Sequence, residues 1–306
     1  MALTLRQLAL FSAIAETGST TAAAARVALS QSATSAALNE LESTLGTRLF
    51  DRIGKRLAIN DEGRSLLSTA RALLQNVRDI ETSFASGAGG AQLELRLAAS
   101  TTVGNYVLPS VLASFRRARP AARISLMISN TGEVVASVAA LEVDLGLVEG
   151  PCHSTEVTVL PWLEDELVVV AAPGHALAKA AALKPLTHAQ LRRAPWLLRE
   201  VGSGTRESAE QALLSHLHDF SVDMTLGSSE AIKNAVAVGL GISCLSHFVV
   251  RDLLAARRLV ILPSRLPRLT RRLAIIHHRQ KRLSPALTAF IKACREGPRA
   301  PPSAFL

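Results

Sequence analysis

Three cysteines in 306 residues, Cys152, Cys244 and Cys294, are too few and too far apart for a disulfide framework, and none has Cys-x-x-Cys spacing. A structural zinc site is therefore not expected, and reduced thiols in the cytoplasm fit the pattern. Long apolar runs are missing too: no uninterrupted stretch approaches the ~20 residues of a membrane-spanning helix. The first dozen residues, MALTLRQLALFS, lack a basic start, a long apolar core and a small-residue cleavage site, so a soluble, non-exported chain is expected. Charge is sparse at 19% against 48% hydrophobic residues, which favours packed cores over extended disorder. Catalytic signatures are absent as well, with no nucleophile elbow, paired acidic motif or phosphate-binding loop, so neither enzyme activity nor a resident cofactor is expected. Adjacent His277 and His278 would point to opposite faces of a strand, and Cys152-His153 has no partner in sequence, so no metal site is expected. Trp162 and Trp196 read as core or lobe-interface residues.

What remains is a chain longer than the usual single domain, so two or more units are expected. Its net charge of +9 is unevenly placed. Residues 1–90 hold nine Lys/Arg against eight Asp/Glu, a net of +1; residues 251–300 hold thirteen against two, a net of +11. A basic chain raises the prior for nucleic acid, yet the excess lies outside residues 1–90.

In residues 5–17 (LRQLALFSAIAET), Leu5, Leu8, Phe11 and Ile14 recur every third position, which predicts an amphipathic helix. After Gly18 and Ser19, Thr20 or Thr21 is the expected cap of a short Ala-rich helix. Ala28 and Leu29 turn, and Ser30 caps a third helix over about residues 31–45 that Gly46 ends. Leu49-Phe50 and Leu57-Ala58-Ile59 then flank a Gly54-Lys55-Arg56 tip, a basic hairpin. Three helices and a hairpin predict a winged helix-turn-helix over residues 1–60, with the third helix entering the major groove. Ser30, Gln31, Ser32, Thr34 and Ser35 crowd its start. Gln pairs with adenine and hydroxyls suit bases or phosphates; Arg52, Lys55 and Arg56 would meet phosphates or the minor groove. Capping explains Ser30 alone, but four further hydrogen-bonding side chains exceed that need.

Residues 61–90 read as a linker helix whose Leu66, Ala70, Leu73, Val77, Ile80 and Phe84 alternate spacings of four and three, a coiled-coil seam. Self-association is favoured over packing on its own domain, because a helix joining two domains has little else to cover that seam. The run SGAGGAQ at 86–92 reads as a flexible linker. Strands and helices then alternate, predicting α/β architecture with largely parallel sheets and two lobes. The expected boundaries are 91–163 with 264–296 for one lobe, 164–263 for the other, and a frayed tail at 297–306.

Four strand-to-helix junctions in this α/β portion carry hydroxyl or amide groups: Ser100-Thr101-Thr102, Asn130-Thr131, Ser203-Gly204-Thr205-Arg206, and Ser228-Ser229. Helix starts expose unpaired N–H groups and a partial positive charge, so several converging on one cleft make an anion site. Arg206 would add a planar fork for a carboxylate, phosphate or sulfur oxyanion. Asn130 or Ser228 alone is more often a cap. Glu149 would repel an anion unless it faces away or pairs with Arg206.

Residues 5–52, through Ser30-Gln31, Leu41-Glu42, Leu45-Gly46, Leu49-Phe50 and Arg52, resemble the N-terminal signature of LysR-type transcriptional regulators. The resemblance implies a linker helix, a two-lobed effector domain like type 2 periplasmic binding proteins, and a ligand between the lobes at the strand ends. It also implies a homodimer or homotetramer on double-stranded DNA, with RNA polymerase a candidate partner. Ser32 stands where many members carry Pro, and Ala36 where many carry Arg, so the operator cannot be copied from relatives. GSGTRE (residues 202–207) and GLVEGP (residues 146–151) are similar to the subgroup controlling sulfur assimilation and carbon fixation, which favours a small oxyanion or phosphorylated metabolite. The leading expectation is a sequence-specific transcription regulator controlled by a small anionic effector. A solute-binding protein without DNA specificity is the rival, and an α/β enzyme comes third.

Overall fold

Thr4 opens the first helix: its hydroxyl accepts from the Gln7 N–H, and the Gln7 side chain accepts in return from the Thr4 N–H. The computed structural model describes residues 3–53, 56–85 and 94–297; Lys55, the 86–92 linker and the end of the tail lie outside them, as does the Phe84 side chain. The chain forms two units, residues 1–92 and 93–306.

In the first unit, α1 (Leu5–Thr17) is followed by α2 (Thr20–Arg26), capped by Ser19 rather than by Thr20 or Thr21, because Ser19 keeps the extended backbone a cap needs. Ser30 caps α3 (Gln31–Leu45), and Gly46 ends it in the left-handed conformation. β1 (Phe50–Ile53) and β2 (Arg56–Ile59) pair antiparallel, Phe50 opposite Ile59. Leu8, Phe11, Ile14, Leu38, Leu41, Leu49 and Phe50 make the core, each worth about 1.5–3 kcal/mol of burial. The long helix α4 (Asp61–Ala85) joins this core through Leu66, Leu67, Ala70 and Leu74. Two of the six expected seam residues, Leu66 and Ala70, are thus covered by their own unit, contrary to the expectation of an isolated helix. Further along, Leu73 is 43% and Ile80 57% exposed.

The second unit carries a mixed sheet rather than a largely parallel one. β3 (Glu94–Ser100) lies parallel to β4 (Arg123–Ser129) and β5 (Leu145–Glu149). β6 (Val157–Ala171) and β11 (Leu269–His278) run antiparallel to each other along their length, and β11 also pairs antiparallel with β5. β6 further pairs with β9 (Ser243–Ser246) and β10 (Val260–Ile261), while β7 (Trp196–Arg199) and β8 (Val222–Leu226) are parallel. A π-helical turn (Val103–Val107) leads into α5 (Leu108–Ala118), which packs with α12 (Pro285–Glu296) on one sheet face; α6 (Thr131–Ala139) covers the other. In the second lobe, α7 (Ala176–Ala181), α8 (His188–Arg192) and α9 (Gly204–Leu217) cover one face, and α10 (Ser229–Ala237) and α11 (His247–Ala255) the other. Among the described strands, β6 and β11 traverse both lobes. Trp196 belongs to the second core, and Trp162 packs on the first, its indole N–H donating to Cys294 O at 2.7 Å.

Asp144, just ahead of β5, fastens the first lobe. It accepts from the Arg96 backbone N–H (2.8 Å) and guanidinium (3.0 Å) and from Lys281 (2.9 Å). Burial pushes its carboxyl up, but Arg96 and Lys281 outweigh that and hold it below the ordinary value of 3.8. Asp144→Ala leaves Lys281 buried without its partner and should cost about 3–5 kcal/mol in urea unfolding at pH 7. A depressed native pKa stabilises above the unfolded value and loses that contribution as pH falls through the native one. The gap between wild type and variant should therefore narrow below pH 3.8.

Candidate functional site

Two polar constellations stand out, one in each unit. In the first unit, Ser30 Oγ accepts from the Ala33 N–H (3.1 Å) and lies 3.0 Å from Ser32 Oγ, so capping and exposure coincide. Gln31 is exposed and its amide donates to Thr20 Oγ1 at 3.2 Å, a contact that sets its side chain across the front of the α2–α3 pair. Ser32 is exposed and Ser35 half-buried. Thr34 departs from expectation: it is fully buried, and its hydroxyl donates back to Ser30 O at 2.9 Å, so it braces the first turn instead of facing outward. Arg52 and Arg56 flank the hairpin tip, both exposed.

In the second unit, the carboxyl ends of β3, β4, β5, β7 and β8 each run into a turn or helix start, where ligands of open α/β sheets gather. Glu149, the last residue of β5, is 1% exposed and does not face away. Its carboxylate accepts from Ser100 Oγ, from the Thr102 N–H (3.4 Å) and from Thr205 Oγ1 (3.2 Å). These donors come from the end of β3 and the residue ahead of the π-helical turn on one side, and from the first turn of α9 on the other. Thr131 Oγ1 donates to the Glu149 carbonyl at 3.0 Å.

The guanidiniums at this centre are Arg271 and Arg199, not the expected Arg206. Arg271 donates to Thr205 Oγ1 (2.9 Å), Thr102 Oγ1 (3.3 Å) and Asp165 Oδ2 (2.7 Å). Arg199 reaches Thr101 Oγ1 (2.7 Å) and Ser229 Oγ (2.8 Å) with one nitrogen and grips the Glu200 carboxylate with its other two. Arg206 is drawn off by Glu210, one turn along its own helix (2.8 Å), and by the Arg199 carbonyl (3.0 Å). Ser203 and Asn130 act as caps of α9 and α6, and Ser228 of α10.

Burial lifts the Asp165 carboxyl above its ordinary value, outweighing Arg271 and a hydrogen bond from Ser246 (2.7 Å). Glu200 goes the other way: burial raises it, but Arg199 outweighs burial and lowers it. Burial also pushes the Cys244 and Cys294 thiols up to about 12, so they stay protonated at neutral pH. Among the described residues, no helix is long and apolar enough to cross a membrane.

Sequence reasoning missed Arg199, Arg271, Asp165 and Glu200. The signal for Arg271 was present: Leu269, Arg271 and Leu273 alternate with exposed Thr270 and Arg272, so the inward face of β11 includes an arginine. The close approach at the site needs glycine. A Cβ on Gly204 would sit 1.8 Å from Glu149 O, and one on Gly150 would sit 2.6 Å from Gly204 O.

Residues 5–64 match the family described as bacterial regulatory helix-turn-helix protein, lysR family, and residues 88–299 match the LysR substrate binding domain. The chain is 52% identical over 294 residues to the uncharacterized HTH-type transcriptional regulator YeiE of Escherichia coli (strain K12), covering 96% of this chain and 98% of that protein. It is 35% identical to the RuBisCO operon transcriptional regulator of Allochromatium vinosum, covering 95% of each. The regulatory domain of CcmR from Synechocystis PCC6803, solved in complex with 2-PG, superposes with a TM-score of 0.61 at 32% identity, over 67% of this chain and 97% of that one.

Gly204→Ala should force the α9 start away from Glu149 and lower stability by about 1–3 kcal/mol, read as a fall of several degrees in the melting temperature. Gly174→Ala, whose Cβ meets nothing within 4 Å, is the control and should leave it unchanged. Equal melting of both variants would contradict the tight seam.

Proposed function

The chain belongs to the LysR family of bacterial helix-turn-helix regulators, and from that premise we propose that it senses a small oxyanion carrying its own proton. The observation that carries this reading is the Glu149 carboxylate, ringed by Ser100, Thr102 and Thr205, the very donors an anion would use. A fully deprotonated oxyanion entering there meets a like charge at short range, which a low dielectric makes expensive. A ligand with an acidic O–H instead donates to Glu149 while its other oxygens take the helix-start N–H groups and hydroxyls. Hydrogen phosphate esters and hydrogensulfite have this chemistry; sulfate at neutral pH does not. The likeness to CcmR, solved in complex with 2-PG, supports a phosphorylated ligand class.

Gln31, Ser32 and Ser30 at the front of α3 read bases, with Ser35 beside them and Arg52, Lys55 and Arg56 on phosphates. The exposed Leu73 and half-buried Val77 of α4 support self-association through that helix, as a homodimer or a larger assembly in the cytoplasm. Effector binding would alter how the two lobes close, and with it the spacing of paired reading heads on DNA. Contact with RNA polymerase belongs to the same reading.

Thermal-shift titration tests the sensing claim. Wild type should be stabilised by sulfite and by phosphate monoesters but not by sulfate, and Glu149→Gln should gain a response to sulfate. Because the second ionisation of a phosphate ester lies near pH ~6, its protonated fraction falls on going from pH 6 to 8, and stabilisation should weaken in that direction. A wild-type response to sulfate equal to that for sulfite would sink the proposal. For DNA, Gln31→Ala should weaken binding to the chain's own upstream region about tenfold or more, some 1–3 kcal/mol, while binding to random duplex holds. Equal losses on both would remove Gln31 from base reading.

A further inference from the structure

The charge excess of the second unit has a definite location. No Asp or Glu occurs in residues 167–198 or 253–268. Eight Lys/Arg lie in these segments, and all eight are exposed: Lys179 and Lys184, Arg192 and Arg193, Arg257 and Arg258, Arg265 and Arg268. The two segments are fastened together. The Leu186 N–H donates to Pro263 O at 2.8 Å and the Arg265 N–H to Leu186 O at 3.0 Å. Leu186 and Leu191 share a core with Leu262 and Leu266. Val260 pairs with Ala171 in antiparallel register, which brings Arg258 opposite the turn leading into α7 and its Lys179. Among the described residues, Arg268 alone of the eight has an acidic partner, Glu166 at 3.1 Å with Glu164 at 3.9 Å.

The cavity beside Arg268, lined otherwise by residues such as Leu262, Ser264, Leu266, Pro267 and Leu269, is mostly apolar and holds one of the eight cations, so it does not gather this charge around a small ligand. Structural ion pairing does not explain it either, since seven of the eight have no carboxylate to pair with among the described residues. Its chemistry fits an extended polyanion. The chain is a DNA-binding regulator whose residues 1–90 carry a net of only +1, and whose reading helix starts with hydroxyls and an amide rather than cations. Base contacts confer specificity, whereas phosphate neutralisation supplies most of the non-specific affinity. We infer that the acid-free face formed by residues 172–193 and 257–268 binds the phosphate backbone of duplex DNA. It thereby adds sequence-independent attraction to the few phosphate contacts of a helix-turn-helix unit whose net charge is only +1. This rests on the family's DNA-binding role, not on the effector reading.

The test uses the full chain and a random-sequence 40-base-pair duplex, with affinity measured by fluorescence anisotropy across a salt series. In the variant Lys184→Gln/Arg193→Gln/Arg258→Gln/Arg265→Gln, the slope of log K against log salt should shrink by roughly 0.9 for each phosphate no longer neutralised, about 2–4 in all. The four single substitutions, each measured alone, should give smaller steps in the same direction, which guards against a misfolded quadruple variant. Arg116→Gln/Arg117→Gln, an exposed basic pair on α5, should leave the slope alone. An unchanged slope in a quadruple variant that melts like wild type overturns the inference, and so does an equal shrinkage in the α5 pair. Poly-glutamate displacing the duplex at equal charge concentration would assign the face to an acidic protein partner and overturn it too. Failure of the wild type to bind the duplex at low salt would undo the DNA-binding role itself, a result distinct from an unchanged slope.

Discussion

Two arginines buried at the ends of the strands set the terms for the rest of the effector unit. Arg199 is 2% and Arg271 6% exposed, and helix starts from both lobes add positive potential at the same place. A buried cation without compensation costs several kcal/mol, so carboxylates have to come to them. Glu200 closes on Arg199, Asp165 on Arg271, and Glu149 collects the remaining hydroxyl and N–H donors. The geometry that permits this is tight. Gly204 sits against the Glu149 carbonyl, and the long strands β6 and β11 deliver Asp165 and Arg271 side by side in register.

The same network gives the lobes a means of answering to a ligand. Glu149 belongs to β5 of the first lobe yet is bonded by Thr205 of the second, and Arg199 of the second lobe holds Thr101 of the first. A ligand that alters the charge or hydrogen bonding of Glu149 therefore changes the bonding on both sides of the cleft. Such a difference in interaction between two states is the physical requirement for a ligand to shift a conformational equilibrium.

The first unit was legible almost residue by residue, because its elements are short, capped and periodic. Ser30, Gly46 and the two short apolar runs of the hairpin are local signals, and local signals survive without tertiary context. Thr34 was misjudged because a helical threonine can turn its hydroxyl back to the carbonyl four residues earlier, and sequence does not say which way it turns. In the effector unit the hydroxyl-rich helix starts were found, but the charges were not. Arg206 drew attention because it directly follows a conspicuous Gly-Ser-Gly-Thr run, and Arg199 and Arg271 have no such local mark. Its partner Glu210 lies one turn further on and neutralises it locally. Arg271 is placed by pairing with a strand more than a hundred residues away, Arg271 opposite Asp165, a relation that no local pattern encodes. The mixed sheet escaped for the same reason: β6 extends well beyond the apolar run Leu167 to Ala171, through a front part that contains Pro161 and the acids Glu164, Asp165 and Glu166.

Specificity and attraction need different side chains, and this chain separates them in sequence. In the reading proposed above, hydroxyls and amides at the start of α3 would discriminate bases because their hydrogen bonds are short-ranged and directional. Placing many cations there would raise affinity for every sequence alike and narrow the ratio between the right site and the wrong ones. Long-range attraction tolerates distance and imprecise placement, so it is compatible with exposed arginines on loops and short helices such as those around Leu186 and Pro263. The acid-free stretches of the second lobe are thus the chemical complement of a nearly neutral reading head. The buried arginines have carboxylates of their own, Glu200 on Arg199 and Asp165 on Arg271, whereas seven of the eight outer cations have no such partner among the described residues.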